Sequence, residues 1–244
     1  MRLLLYNIRY GVGAGASMHM PLPGAGYILG NQNVLPDIIK FIKSTDPDIV
    51  GLIEVDSGSI RSRKINQAET IAGELGMNSS YETKYGATSI NQLLPIIRKQ
   101  GNAFLAAPRV QGEKFHYFDT GIKRLIIELE METFAVFLVH LSLKYRHRHI
   151  QLRKLYDLID RTEKPVIVAG DFNTFGGEGE IYLFLRAAGL RSANTKSLPS
   201  YPSRSPRKEL DFVLYQEGIE VTNFEIPNVR HSDHLPLLCD FNVL

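Results

Sequence analysis

Eight polar residues stand where short apolar runs begin or end, and their types suit oxygen-donor metal chemistry and proton transfer. Asn7 lies at the end of the first run, and Glu54 follows Asp48-Ile49-Val50-Gly51-Leu52-Ile53. His140 closes a third run, and Asp171 and Asn173 follow Val166–Gly170. Asp211 opens Phe212–Tyr215, and Asp233-His234 precedes the last run. Carboxylates and carboxamides are hard donors of the kind that Mg²⁺ and Mn²⁺ take while keeping several waters. Histidines with nearby acids suit general acid–base work and stabilisation of transition-state charge. No Cys/His spacing for structural zinc, no HExxH, no GxSxG elbow and no P-loop occurs.

The runs that must position these groups read as buried strands: Leu3–Ile8, Ile49–Ile53, Ala103–Leu105, Leu125–Leu129, Phe134–His140, Val166–Ala169, Phe212–Tyr215 and Leu237–Phe241. They are short, apolar and mostly closed by Gly, Pro, Asn or Asp. Helical patterns fall between them. Asn33–Ser44 puts Val34, Ile38, Phe41 and Ile42 on one face, and Gln67–Leu75 stops at Gly76. Ser142–Ile159 would turn Ile150, Leu155, Leu158 and Ile159 to a core, and Glu178–Ala188 closes at Gly189. Met131-Glu132-Thr133 reads as a tight hairpin turn. Helices do not follow every strand, which argues for packed sheets with helices outside and against a βα barrel. No repeat or long linker divides the chain, so one domain over 1–244 is expected.

The 244 residues carry 28 Lys+Arg against 26 Asp+Glu, a net charge of +2 that excludes a globally polybasic nucleic-acid binder. A local basic face is not excluded. Eleven of those cations fall in the acid-free segments Arg61–Lys64, Lys144–Lys154 and Arg204–Lys208, each near a polar strand end. Arg61, Arg63, Lys144, Arg146 and Arg204 are therefore candidate phosphate contacts. The single Cys239 allows no internal disulfide, which fits a reducing, cytoplasmic setting. The apolar run Phe134–Val139 is far below the ~18 residues of a spanning helix. The N-terminal run reads as a strand rather than a signal peptide. Gly11–Gly30 and Asn194–Lys208 read as functional loops, with Tyr27, Tyr145 and Tyr201 as loop aromatics able to stack on a base or headgroup.

Gly170-Asp171-Phe172-Asn173 followed by Ser232-Asp233-His234, with Asn7 and Glu54 upstream in order, resembles the endonuclease/exonuclease/phosphatase superfamily from Leu3 to Phe241. The resemblance implies an α+β fold, a four-layered α/β/β/α sandwich of two mixed sheets flanked by helices. It implies a Mg²⁺- or Mn²⁺-dependent phosphoric ester hydrolase in which activated water attacks in line. By the same resemblance Glu54 is the principal metal ligand, with Asn7 beside it and Asp233 as a further metal-site carboxylate. Asp171, assisted by Asn173, would orient or deprotonate the water. His234, held by Asp211, would contact the scissile phosphate, and His140 would stabilise phosphorane-like charge or assist the leaving oxygen. Ile53 stands where the family often has Gln, and Asn102 of Gly101-Asn102-Ala103 would be structural.

His140-Leu141-Ser142 and the absence of Trp resemble the deoxyribonuclease, sphingomyelinase and inositol-phosphatase branches rather than abasic-site endonucleases. The implied substrate is a phosphate ester, whether small molecule, lipid headgroup or nucleic acid, acted on by a monomer. A nuclease on DNA or RNA is one alternative, and a non-catalytic binding protein on the same scaffold is another.

Overall fold

The computed structural model describes residues 1–14, 34–83, 99–107, 110–121 and 123–244. Among the described residues twelve strands form two six-stranded sheets. The first contains β1 (Arg2–Asn7), β2 (Ile49–Asp56), β3 (Asn78–Thr83), β4 (Gln100–Ala106), β11 (Ile219–Glu225) and β12 (Leu237–Val243), in the order β11-β12-β1-β2-β4-β3. The second contains β5 (Gly112–Tyr117), β6 (Leu125–Glu130), β7 (Ala135–His140), β8 (Val166–Asp171), β9 (Arg191–Ser192) and β10 (Asp211–Tyr215), in the order β5-β6-β7-β8-β10-β9. Each sheet holds one parallel pair at its centre, β1 with β2 and β7 with β8, and both sheets are therefore mixed.

The central strands are apolar on both faces because both faces are covered. Leu3 and Leu5 of β1 join Val136 and Leu138 of β7 in the core between the sheets. Leu4 and Tyr6 turn outward under α1 (Leu35–Thr45) and α2 (Gln67–Leu75). Phe137 and Val139 turn outward under α3 (Tyr145–Asp160) and α4 (Tyr182–Ala187). Alternation of period two along each strand thus builds three apolar layers and four structural ones. This is the α/β/β/α sandwich expected from the resemblance.

Helix boundaries follow local chemistry. Asn66 caps α2 through Glu69 N at 3.5 Å, and Gly76 ends it at φ +66°. Pro36 sits in the first turn of α1, where a missing N–H costs little. The hairpin at 131–133 closes through Met131 N to Phe134 O at 2.9 Å. The expected helix Ser142–Ile159 instead starts at Tyr145, because Arg148 takes the carbonyls of Ser142 and Leu143 and Gln151 takes Ser142 N. On that helix Ile150 is exposed, against expectation, while Arg148 and Gln151 are buried. The segment Glu178–Ala188 divides into a 3-10 turn at Glu178–Glu180 and the short α4. Most of Gly11–Gly30, with Tyr27, lies outside the described residues.

Candidate active site

The C-terminal ends of both central parallel pairs meet at one edge of the sandwich. β1 delivers Asn7 there and β2 delivers Glu54, while β7 and β8 deliver His140 and Asp171 as directly paired residues. β10 runs antiparallel to β8, so its first residue, Asp211, is the cross-strand partner of Asp171. The turn before β12 adds Asp233 and His234. Asn7 Nδ2 donates to Asp171 Oδ2 at 3.4 Å, joining the two sheets at the site. His140 Nε2 lies 3.2 Å from the same oxygen. Asn173 N donates to Asp171 Oδ1 at 3.0 Å, and Asn173 Nδ2 donates to Leu141 O at 2.9 Å. Asn173 adopts φ +53°, a left-handed conformation that Asn tolerates, and this folds the chain back over the carboxylate.

Asp211 and His234 form a buried dyad, with Nδ1 to Oδ2 at 2.7 Å and Ser200 Oγ donating to that oxygen at 2.6 Å. Burial alone would pull the imidazole down, but Asp211 chiefly, then Asp171 and Asp233, hold it up to about 10. An imidazolium at neutral pH follows. Burial would raise Asp171, yet the charge and hydrogen bond of His140, with His234 and Lys123, bring it well below the ordinary carboxylate range. Asp171 is therefore a carboxylate throughout the neutral range.

Glu54 is held by a bulge in β2. Ile53 pairs with Asn102 and Val55 with Gly101, so Glu54 is the extra residue, at φ +59°. A non-Gly side chain in that region carries backbone strain, and bulges commonly re-aim a functional group. Asn102 Oδ1 accepts from Glu54 N at 3.3 Å and secures the bulge. Asp233 is raised, first by burial and also by the negative charge of Glu54, against the pull of His234 and Arg9. Arg9 Nε lies 3.7 Å from Asp233 Oδ2, and Arg9 N donates to Asn7 Oδ1 at 3.1 Å.

The buried Glu54, the half-buried Asp233 and the amide oxygen of Asn7 are hard donors with excess negative charge, which fits a divalent cation. Asp171, Asp211 and His234 also bring ligand-type atoms within 4.8 Å of one another and could hold a metal ion. In that group, however, His234 Nδ1 and Asp211 Oδ2 already engage each other.

The sequence-nominated cations scatter. Arg61 is 3% exposed, ion-paired with Asp56 at 2.9 Å and laid over the Tyr10 ring at 4.2 Å. Its role here is to hold the turn after β2, where Asp56 also accepts from Ser59 and Ser62. Arg63, Lys144, Arg146 and Arg204 are exposed. Arg148 of the same basic segment is buried and paired with Glu180. Of the loop aromatics, Tyr201 packs on the His234 ring at 4.8 Å, with Phe175 against it at 6.1 Å. Tyr145 stacks instead on His149.

Two charged residues at the site were not singled out from the sequence. Arg9 stands two residues after Asn7, a spacing that could have flagged it. Lys123 contacts His140 Nε2 from the β5–β6 connection, and no local pattern marks it.

The model of the Endonuclease/Exonuclease/phosphatase family matches residues 4–234. A UPF0294 protein of Erwinia tasmaniensis is 34% identical over 95 residues, covering 38% of this chain and 34% of that protein. The match thus reaches about a third of that curated relative's length. The fold is similar to the human Nocturnin catalytic domain with bound sulfate, at TM-score 0.73 and 19% identity over 100% of this chain and 93% of that one. It is equally similar to a mannosyl-6-phosphatase of Bacteroides thetaiotaomicron, at TM-score 0.74 and 14% identity over 99% of each chain. With the motifs in order, the sandwich formed and the strand ends convergent, the chain belongs to the endonuclease/exonuclease/phosphatase family.

Proposed function

We propose that this protein is a divalent-metal-dependent phosphoesterase that hydrolyses a phosphodiester or phosphomonoester by in-line attack of water. The observation that carries the reading is the convergence of both sheets on one buried site, where Asn7 and His140 reach one oxygen of Asp171 and Asp211 holds the His234 ring at 2.7 Å, an arrangement that favours a carboxylate at Asp171 and an imidazolium at His234. Phosphoryl transfer depends mainly on positioning and charge stabilisation, and these two groups serve both needs.

Asp171, held on one oxygen by Asn173 N and on the other by Asn7 and His140, is too weak a base to remove a proton from water early in the reaction. It orients the water and accepts its proton as the new P–O bond forms. His234 donates Nδ1–H to Asp211, which leaves Nε2–H for a phosphoryl oxygen. His140, 3.2 Å from Asp171 Oδ2, would stabilise phosphorane-like charge or assist the leaving oxygen. Asn7, Glu54 and Asp233 would hold Mg²⁺ or Mn²⁺, which supplies charge neutralisation at a phosphoryl oxygen. The likeness to a mannosyl-6-phosphatase supports a phosphate-ester substrate, and the acting unit proposed is a single-domain monomer.

Turnover of bis(p-nitrophenyl) phosphate with Mg²⁺ or Mn²⁺ tests the reading. Glu54→Ala and His234→Ala are expected to abolish it, and wild-type protein without metal-dependent turnover would overturn the claim. A panel of plasmid DNA, RNA, phospholipids and sugar or inositol phosphates then separates nuclease from small-ester or lipid activity.

A further inference from the structure

We propose that Lys123 is a further catalytic residue, whose ammonium donates a hydrogen bond to a non-bridging phosphoryl oxygen beside His140. The inference rests on the phosphoesterase reading above and adds to it a cation that neither the family motifs nor the metal-site carboxylates include.

The first observation is contact. Lys123 Nζ reaches His140 Nε2, the nitrogen that also faces Asp171 Oδ2. An ammonium has three N–H donors and no acceptor. Among the described residues Lys123 Nζ contacts His140 Nε2, which faces Asp171 with its own N–H, so the lysine's donors are available to a further acceptor. The side chain is half-buried, at the rim where His140 and Asp171 end their strands. A half-buried cation is attracted to a phosphoryl group more strongly than one in open solvent.

The second observation is that the backbone carrying Lys123 is built to hold it there. Gln151, fully buried on α3, donates from Nε2 to Lys123 O at 2.7 Å and to Thr120 O at 3.0 Å. Its Oε1 accepts from Ser142 N at 2.8 Å, two residues after His140. One side chain therefore fixes the lysine loop and the histidine strand to each other. The loop closes through Phe118 N to Arg124 O at 2.7 Å, over the buried Phe118 ring. At Gly121, φ is +91° and a Cβ would stand 2.2 Å from Ser142 Oγ, so the close docking needs glycine. A solvated surface lysine has no need of such support.

During hydrolysis the water oxygen bonds to phosphorus and passes a proton to Asp171, while the P–O bond to the leaving oxygen breaks. Negative charge grows on the non-bridging oxygens as this happens. Lys123 strengthens its hydrogen bond to the phosphoryl oxygen as that charge develops. Donors aimed at developing charge act more on the transition state than on the bound substrate, so the loss should fall on kcat more than on KM.

The test compares wild type, Lys123→Met and Lys123→Arg in the Mg²⁺-loaded protein. Turnover of bis(p-nitrophenyl) phosphate is measured beside the affinity for orthovanadate, a trigonal-bipyramidal anion, by calorimetry. Lys123→Met is expected to lose about 10²-fold in kcat with KM within about threefold, the size seen when one such donor is removed. Its vanadate affinity should fall in parallel, and Lys123→Arg should recover at least tenfold of each. Lys123→Met activity within threefold of wild type would overturn the proposal. So would lost activity with unchanged vanadate affinity, which marks a structural role. Wild type that binds vanadate through Lys123 yet turns over no ester would sink the phosphoesterase reading and leave the anion contact standing.

Discussion

Gly170→Ala tests whether the His140–Asp171 pair depends on how closely β7 and β8 approach. Gly170 precedes Asp171 and pairs with Val139, which precedes His140. A Cβ at Gly170 would stand 2.1 Å from Val139 O and 2.7 Å from Val139 Cγ2. The near neighbour is backbone carbonyl, which cannot swing aside, so the two strands must separate by roughly 1 Å. The His140–Asp171 contact, now 3.2 Å, would then pass beyond hydrogen-bond reach. Overpacking of this kind costs about 3 kcal/mol, offset by under about 1 kcal/mol from the stiffer unfolded chain. A net loss of about 2 kcal/mol is expected in urea denaturation, with a lower midpoint and unchanged slope. Misplacement by roughly 1 Å should lower kcat about 10²-fold. Gly73→Ala is the control: Gly73 is in α2 with nothing within 4 Å of its Cβ position, and alanine there should stabilise by about 0.5–1 kcal/mol. If Gly170→Ala unfolds within about 0.5 kcal/mol of wild type and keeps kcat within about threefold, the close-approach argument is wrong.

Three further outcomes follow from the geometry. His234 sits at about 10 against an ordinary 6.5, so its stabilisation is full below pH 6.5 and is lost as pH rises through about 10. Asp211→Asn should therefore cost about 3 kcal/mol near pH 6 and much less at pH 10, and a pH-independent loss in denaturation curves would contradict the ion pair. Asn102→Ala removes the acceptor that Glu54 N uses in the bulge, at about 1 kcal/mol, and should raise the Mg²⁺ concentration for half-maximal activity about tenfold. Glu209 is pushed up to about 7 by burial, against a hydrogen bond from Asn194. Its raised value means that charging it destabilises the fold as pH climbs toward 7. Glu209→Gln should stabilise by about 1 kcal/mol at pH 8, after allowance for partial exposure, and change nothing at pH 4. Thermal melts at both pH values would show it.

Legibility followed burial. Every central strand was readable, because a strand covered on both faces is a continuous apolar run. The four strands that were missed, β3, β5, β9 and β11, are the four sheet edges. Asn78–Thr83 reads Asn-Ser-Ser-Tyr-Glu-Thr, and Ile219–Glu225 is half-exposed or exposed at every residue after the buried Ile219. Edge strands carry polar side chains that oppose further pairing, and this erases the apolar signal. Ile150 misled in the other direction, since its place on the core face was taken by Arg148 and Gln151, whose partners lie elsewhere in the chain.

The residue types and their order along the chain were enough to identify the family and the layered sheets, and to nominate the set Asn7, Glu54, His140, Asp171, Asn173, Asp211, Asp233 and His234. Those properties are local: a polar residue at the end of an apolar run is visible wherever the run is. Where each cation sits was decided only in three dimensions. Arg61 and Arg148, which looked like phosphate contacts or a charged face, are drawn inward by Asp56 and Glu180. Arg9 and Lys123 are set beside Asp233 and His140, more than a hundred residues and 17 residues away in the chain. A long cationic side chain goes where its counter-charge and its supporting backbone place it, and both come from tertiary packing rather than from its neighbours in sequence.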